Sequence, residues 1–115
     1  MDACYSECVS EPAVRVVLST FSSADKAAEV ARVLVEEQLC ACVNIIPAVR
    51  SIYRWQGAIS DDAEVLVLIK TTSERFPPLA DRLRSLHPYE VPEIIALDVA
   101  DGHAPYLAWV ASSVR

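Results

Sequence analysis

Apolar positions recur every second residue in some stretches of the chain and every third or fourth in others, and each change of period marks an element. Val14-Arg15-Val16-Val17-Leu18 is β-branched and apolar on both faces, the pattern of a central strand covered on both sides and ending near Thr20. Ser22 with Asp25 resembles a capping box, where a hydroxyl accepts an orphan backbone N–H and a carboxylate favours the positive helix end. Ala24, Ala27, Ala31, Leu34 and Val35 then fall on one helical stripe, with Lys26, Glu29, Arg32 and Glu36 away from it, so the helix is expected to end near Gln38. From Ala41 the period becomes two: Val43, Ile45 and Pro47 share one face, Cys42, Asn44 and Ile46 the other, and Ser51, Tyr53 and Trp55 later share a face. This predicts a long, bent strand. Gln56-Gly57 is the turn signal of a hairpin, whose return strand sets Glu64, Leu66, Leu68 and Lys70 against Val65, Val67, Ile69 and Thr71.

Ser73 is placed to cap a second helix, with Pro77 and Pro78 near its first turn, where a missing N–H matters least. Phe76, Leu79, Leu83 and Leu86 mark its buried face; Pro88 and Pro92 stop it and force an extended link. Ile94-Ile95-Ala96-Leu97 reads as a last central strand, Asp101-Gly102 as a turn, and Pro105 as the start of a short closing helix bearing Tyr106 and Trp109. The order is β-α-β-β-α-β plus a terminal helix: an α+β, ferredoxin-like plait in which two helices cover one face of a four-stranded antiparallel sheet. Several strands are apolar on both faces, so the side away from the helices must be buried as well, and further copies of the chain are the natural cover.

At 115 residues the chain suffices for one domain, expected over residues 14–115, preceded by a flexible arm at 1–13. The apolar share of 53% is high for so small a domain and adds to the case for subunit contacts. A net charge of -6 argues against nucleic acid, which is held by clustered Lys and Arg. Neither a membrane-spanning run nor a basic-then-apolar leader is present, so a cytoplasmic protein is expected, with its four cysteines as thiols rather than disulfides. With Gly57 and Gly102 as its two glycines, the chain has no phosphate-cradling loop or dinucleotide fingerprint, and no Gly-x-Ser-x-Gly elbow or zinc-protease motif occurs. No enzyme is expected.

Five separated segments carry a resemblance: Ala41-Cys42-Val43-Asn44-Ile45-Ile46-Pro47; Ser51-Ile52-Tyr53-Arg54-Trp55-Gln56-Gly57; Glu64 through Ile69-Lys70-Thr71; His87-Pro88-Tyr89-Glu90-Val91-Pro92-Glu93; and Tyr106-Leu107-Ala108-Trp109. In this order they resemble the CutA family of divalent-cation tolerance proteins, over residues 14 to 113. The resemblance implies a ferredoxin-like subunit in a tight homotrimer, sheets facing inward and long hairpins reaching onto neighbours. It also implies a part in the response to copper and other divalent metal ions, with copper binding suggested. Fold and trimer are similar to the PII signalling proteins, which gives the alternative of a small-metabolite sensor with ligand sites between subunits. Where members have a Cys near the end of strand one and a His-His pair before Pro-Tyr, this chain has Ser19, Leu86 and His87, so two of the three copper donors implied by the resemblance are missing.

The chemistry-bearing side chains admit two readings each. Cys40 and Cys42, two apart on a strand, would put both sulfurs on one face, where thiolates could hold copper or zinc given further ligands; equally, unpaired cysteines serve as small buried hydrophobes. Cys4 and Cys8 in the arm read as a stray thiol pair. His87 at a helix end could bond a last carbonyl and complement the helix dipole, or act as a ligand or proton carrier with Glu93, Glu64 or a thiol near. The candidate metal ligands are therefore Cys42 and His87. Tyr53, Trp55, Tyr89, Tyr106 and Trp109 suit subunit packing or the walls of a pocket whose charged groups would be Glu64, Lys70, His87 and Glu93.

Overall fold

Alternation of buried and half-buried side chains along Val14–Phe21 and the second half of Ala58–Thr72 builds the sheet from which everything else hangs. The computed structural model describes residues 13–115; all of the expected arm but Ala13, including Cys4 and Cys8, lies outside the described residues. The elements are β1 (Val14–Phe21), α1 (Ala24–Glu36), β2 (Cys42–Trp55), β3 (Ala58–Thr72), α2 (Phe76–Leu86), β4 (Ile95–Asp98) and α3 (Ala104–Ser112). The sheet runs β2-β3-β1-β4 with every pair antiparallel, the ferredoxin-like α+β plait expected from the order of elements. The last strand departs from expectation: among the described residues β4 is a four-residue edge strand, not a central one. Its apolar residues have another reason. Ala96 packs on the helix side, while Ile95 and Leu97 face the opposite side and remain about half exposed.

On the helix side Val17, Phe21, Val65, Val67 and Ile69 meet Ala27, Val30 and Leu34 of α1 and Leu79 and Leu83 of α2 in one core. The α1 stripe is displaced from the expected one, with Val30 buried and Ala24 and Val35 exposed. The cap also moves by one residue: Ser23, not Ser22, takes the N–H of Lys26 at 2.9 Å. At the other end Gln38 adopts φ 60° while its N–H bonds Val35 and that of Leu39 bonds Leu34, each at 3.0 Å. This is a Schellman closure made without glycine. Ser73 does not cap α2, whose N-cap residue Arg75 makes no side-chain capping bond; prolines fill the first turn, and Thr72 Oγ1 accepts the N–H of Arg75 just before it. The two helices are clamped by a bidentate pair from Arg82 to Glu37, at 2.8 and 2.7 Å.

Among the described residues the opposite face is covered only at one corner, where Leu107 and Val110 of α3 close over Val14 with Ala41 and Val99 beside them. Leu18, Leu66 and Leu68 on this face stay half-buried, and Ile46, Ile95, Leu97, Tyr106 and Trp109 are exposed. Two buried hydroxyls on the helix side differ in kind. Thr71 Oγ1 donates to the Leu39 carbonyl at 2.7 Å, whereas Ser19 Oγ has no hydrogen-bond partner among the described residues. Thr71→Val should therefore cost about 1–3 kcal/mol by orphaning that carbonyl, and Ser19→Ala less than about 1 kcal/mol or nothing, since no bond is lost. Denaturant unfolding of both variants at one protein concentration checks the contrast.

Candidate functional site

The site begins with an irregularity in the hairpin. Gln56 at φ 50° and Gly57 at φ 79° make a two-residue turn with both central residues left-handed, so Trp55 pairs with Ala58 and the register follows down to Val49 opposite Glu64. Beyond it the register shifts by one, Pro47 and Ala48 together standing against Val65. Proline has no N–H for a ladder, and a bulge is where a strand tolerates it. The extra residue changes which side of the sheet the odd positions of β2 occupy. Val43 and Ile45 lie with the helices, while Val49, Ser51 and Tyr53 oppose residues on the open side.

The second part is the loop after α2. β4 pairs only with Arg15 to Leu18, and beyond it the carbonyl of Thr20 is met by His87 Nε2 at 2.8 Å. The other ring nitrogen, Nδ1, accepts the N–H of Tyr89 at 3.1 Å, so both contacts suit one neutral tautomer with its proton on Nε2. The ring stacks on Phe21, centroids 4.2 Å apart, and is tilted against Tyr89 at 4.8 Å. Burial pushes the imidazole below its ordinary pKa, against the opposing influence of the Thr20 carbonyl and the Glu64 charge. His87 thus knots loop to strand; it does not bond a helix carbonyl through its side chain as expected from its place in the sequence.

Tyr89, so fixed, donates its hydroxyl to Glu64 Oε2 at 2.8 Å; burial and then this bond push the phenol up to about 12. On the hairpin Tyr53 donates to Asp62 Oδ2 at 2.6 Å, and the bonded carboxylate raises its pKa too. Between loop and hairpin lies a cleft of about 850 Å³. Of the expected pocket residues, Tyr53, Trp55, Glu64, Tyr89 and Glu93 line it. Lys70 and Tyr106 do not: Lys70 stands opposite Cys42 and donates to Asn44 Oδ1, and Tyr106 packs on Trp109, ring centroids 5.6 Å apart. Asp62 was missed by sequence reasoning, although counting back from the turn puts it diagonal to Tyr53 across the hairpin.

This geometry sits on a fold with known counterparts. Residues 15–113 match the family model described as CutA1 divalent ion tolerance protein. The chain belongs to that family. It is 54% identical over 95 residues to the Divalent-cation tolerance protein CutA of Thermus thermophilus, covering 83% of this chain and 92% of that one. It is 57% identical over 84 residues to Protein CutA of Homo sapiens, covering 73% of this chain but 47% of the longer human protein. Among solved structures, the Thermus thermophilus protein superposes with a TM-score of 0.86 at 50% identity, covering 89% of this chain and 99% of that one. CutA1 from Oryza sativa gives 0.88 at 36%, covering 91% and 96%.

The donors that the family resemblance assigns to copper do not fit an ion in this CutA1 chain. Position 86 is a leucine, Ser19 Oγ is sealed in the core with no partner among the described residues, and both nitrogens of His87 are engaged by backbone. The cysteines fare similarly. β2 begins at Cys42, so strand alternation never includes Cys40, which joins the core beneath the helices; burial first, and the neighbouring Cys42 second, push its thiol up to about 12. The pair does not share a face as expected. Cys42 and His87 are not brought together either: Cys42 stands opposite Lys70 and His87 beside Thr20, which stands opposite Leu66, roughly 13 Å apart along β3. Among the described residues no three His, Cys, Asp or Glu side chains are grouped to hold a metal ion.

Because the folded protein favours neutral His87, the unfolded chain takes up more protons as pH falls. The stability this residue contributes is complete above the ordinary imidazole value of 6.5 and is lost as pH drops through it toward the lower folded value. Urea midpoints measured at about pH 7.5 and about pH 5 should fall less in His87→Gln than in the parent, since glutamine does not titrate.

Proposed function

We propose that this chain serves tolerance of divalent cations as a non-enzymatic homotrimer that binds a small ligand in the Tyr53–Glu64–Tyr89 cleft, a sensor rather than a copper carrier. The observation that carries the reading is where the chemistry-bearing side chains converge: in a cleft walled by Tyr53, Trp55 and Tyr89, and not, among the described residues, around a set of metal donors. The PII-like alternative is thereby preferred over direct copper binding at His87. Copper or another divalent cation is then the stress to which the protein responds. Assembly is supported by the open sheet face, where Ile95 and Leu97 remain about half exposed beside the half-buried Leu18, Leu66 and Leu68. A reducing compartment, the cytoplasm, suits the buried Cys40 thiol.

Light scattering of the purified protein should give three chain masses, and Leu68→Glu, which places a charge in the middle of the open face, should give a smaller species; a parent that stays single in dilute solution contradicts the trimer. Calorimetry of reduced, tag-free protein with Cu(I), Cu(II) and Zn(II) should show no saturable binding that His87→Gln abolishes. Loss of such binding in that variant would restore the copper reading.

A further inference from the structure

We infer that the ligand of this cleft is an organic cation, an ammonium group on a short alkyl body, an inference that rests on reading the cleft as a ligand site. Three features lead there. Among the described residues the lining contains Asp62, Glu64, Glu90 and Glu93 and no Lys, Arg or His. The nearby Arg50 is held by Asp61 in a bidentate pair at 2.8 and 2.7 Å, and Lys70 by Asn44, so neither of these cations faces the cleft as a counter-charge.

The second feature is how this negative charge is arranged. Among the described residues no three carboxylates are grouped as a bare metal ion would need, so the field is spread over a space of about 850 Å³. A small, strongly hydrated divalent ion demands several oxygens at close range, whereas a bulky ammonium is content with a diffuse negative surround. The third is the aromatic wall. Tyr53, Trp55 and Tyr89 line the cleft, and aromatic rings attract a cation through their quadrupoles and cover its alkyl groups, the combination by which aromatic cages take alkylated amines. The two phenol hydroxyls are already committed to Asp62 and Glu64, which ties those carboxylates to the aromatic wall. An anionic ligand would meet this lining as a like charge. The overall charge of -6 further enriches cations around the molecule.

Calorimetry of the intact protein with tetramethylammonium chloride and with putrescine, at matched ionic strength, tests the inference. Saturable binding is expected for at least one, weakened about tenfold by Trp55→Ala and similarly by Glu64→Gln, and retained in Trp55→Phe, which keeps an aromatic face. Trp55 is 52% exposed, so its alanine variant should fold with unchanged far-ultraviolet circular dichroism. No saturable heat from either amine overturns the inference, as does binding indifferent to both Trp55→Ala and Glu64→Gln, or displacement by Mg²⁺ at equal concentration. Glycerol 3-phosphate and glucose serve as anionic and neutral probes. Should one of them raise the melting temperature, an effect lost in Trp55→Ala, while the amines do nothing, the cleft remains a ligand site and the organic-cation assignment alone is wrong.

Discussion

A sheet whose inner strands are apolar on both faces cannot be satisfied by helices from one side, and this constraint governs the molecule. α1 and α2 seal Val17, Val65, Val67 and Ile69, leaving Val16, Leu18, Leu66 and Leu68 on the reverse with α3 over one corner. Burial of apolar area is worth roughly 25 cal/mol per Å², so the open layer is a standing drive toward association. Those residues also restrict what the sequence can do elsewhere, since a strand buried on both faces has no room for polar chemistry. The polar groups are pushed to where the sheet ends: the far reach of the hairpin and the loop after α2.

The bulge at Pro47 and Ala48 makes that displacement useful. Without the extra residue, Tyr53 would continue the face of Val43 and Ile45 and point toward the helix side; with it, Tyr53 stands with Glu64 and Thr20 on the open side. A proline in mid-strand, a fault in a regular ladder, is thus what gives the cleft its hairpin wall. The loop wall has a different origin. β4 stops short of the end of β1, and His87 takes the Thr20 carbonyl left beyond it, which sets Tyr89 at the distance from which its hydroxyl reaches Glu64.

Element order, the plait and the hairpin turn were legible because they rest on periodicity and on Gln56-Gly57, which are local. What misled were features decided by tertiary contact. β4 has the composition of a central strand because one of its faces meets the core and the other lies on the open layer, although among the described residues it has a single neighbour. Cys40 and Cys42 looked paired because strand alternation was extended two residues too far, to a position in the core before β2 begins. For the cleft, Tyr53, Trp55, Glu64, Tyr89 and Glu93 could be picked by type, but nothing in type separates them from Lys70 and Tyr106. The separation comes from register: Lys70 faces Cys42, six residues beyond Glu64 along β3, and Tyr106 rides on α3.

Cleft and open layer share a side of the sheet, and that has a thermodynamic consequence. Glu64, which holds Tyr89 at the cleft, is on the same strand face as Leu66 and Leu68 at the proposed subunit contact. If sister copies approach that layer, they approach the cleft mouth, so any difference in ligand affinity between the lone and assembled chain must appear, equal in size, as a difference in assembly between free and ligand-bound protein. Such reciprocity needs no moving part. It requires only that a ring wall such as Trp55, half exposed in the single chain, be more fully ordered once a neighbour packs against the hairpin. The same apolar layer that drives copies together would then pre-organise the walls of the site, and binding and association would strengthen one another.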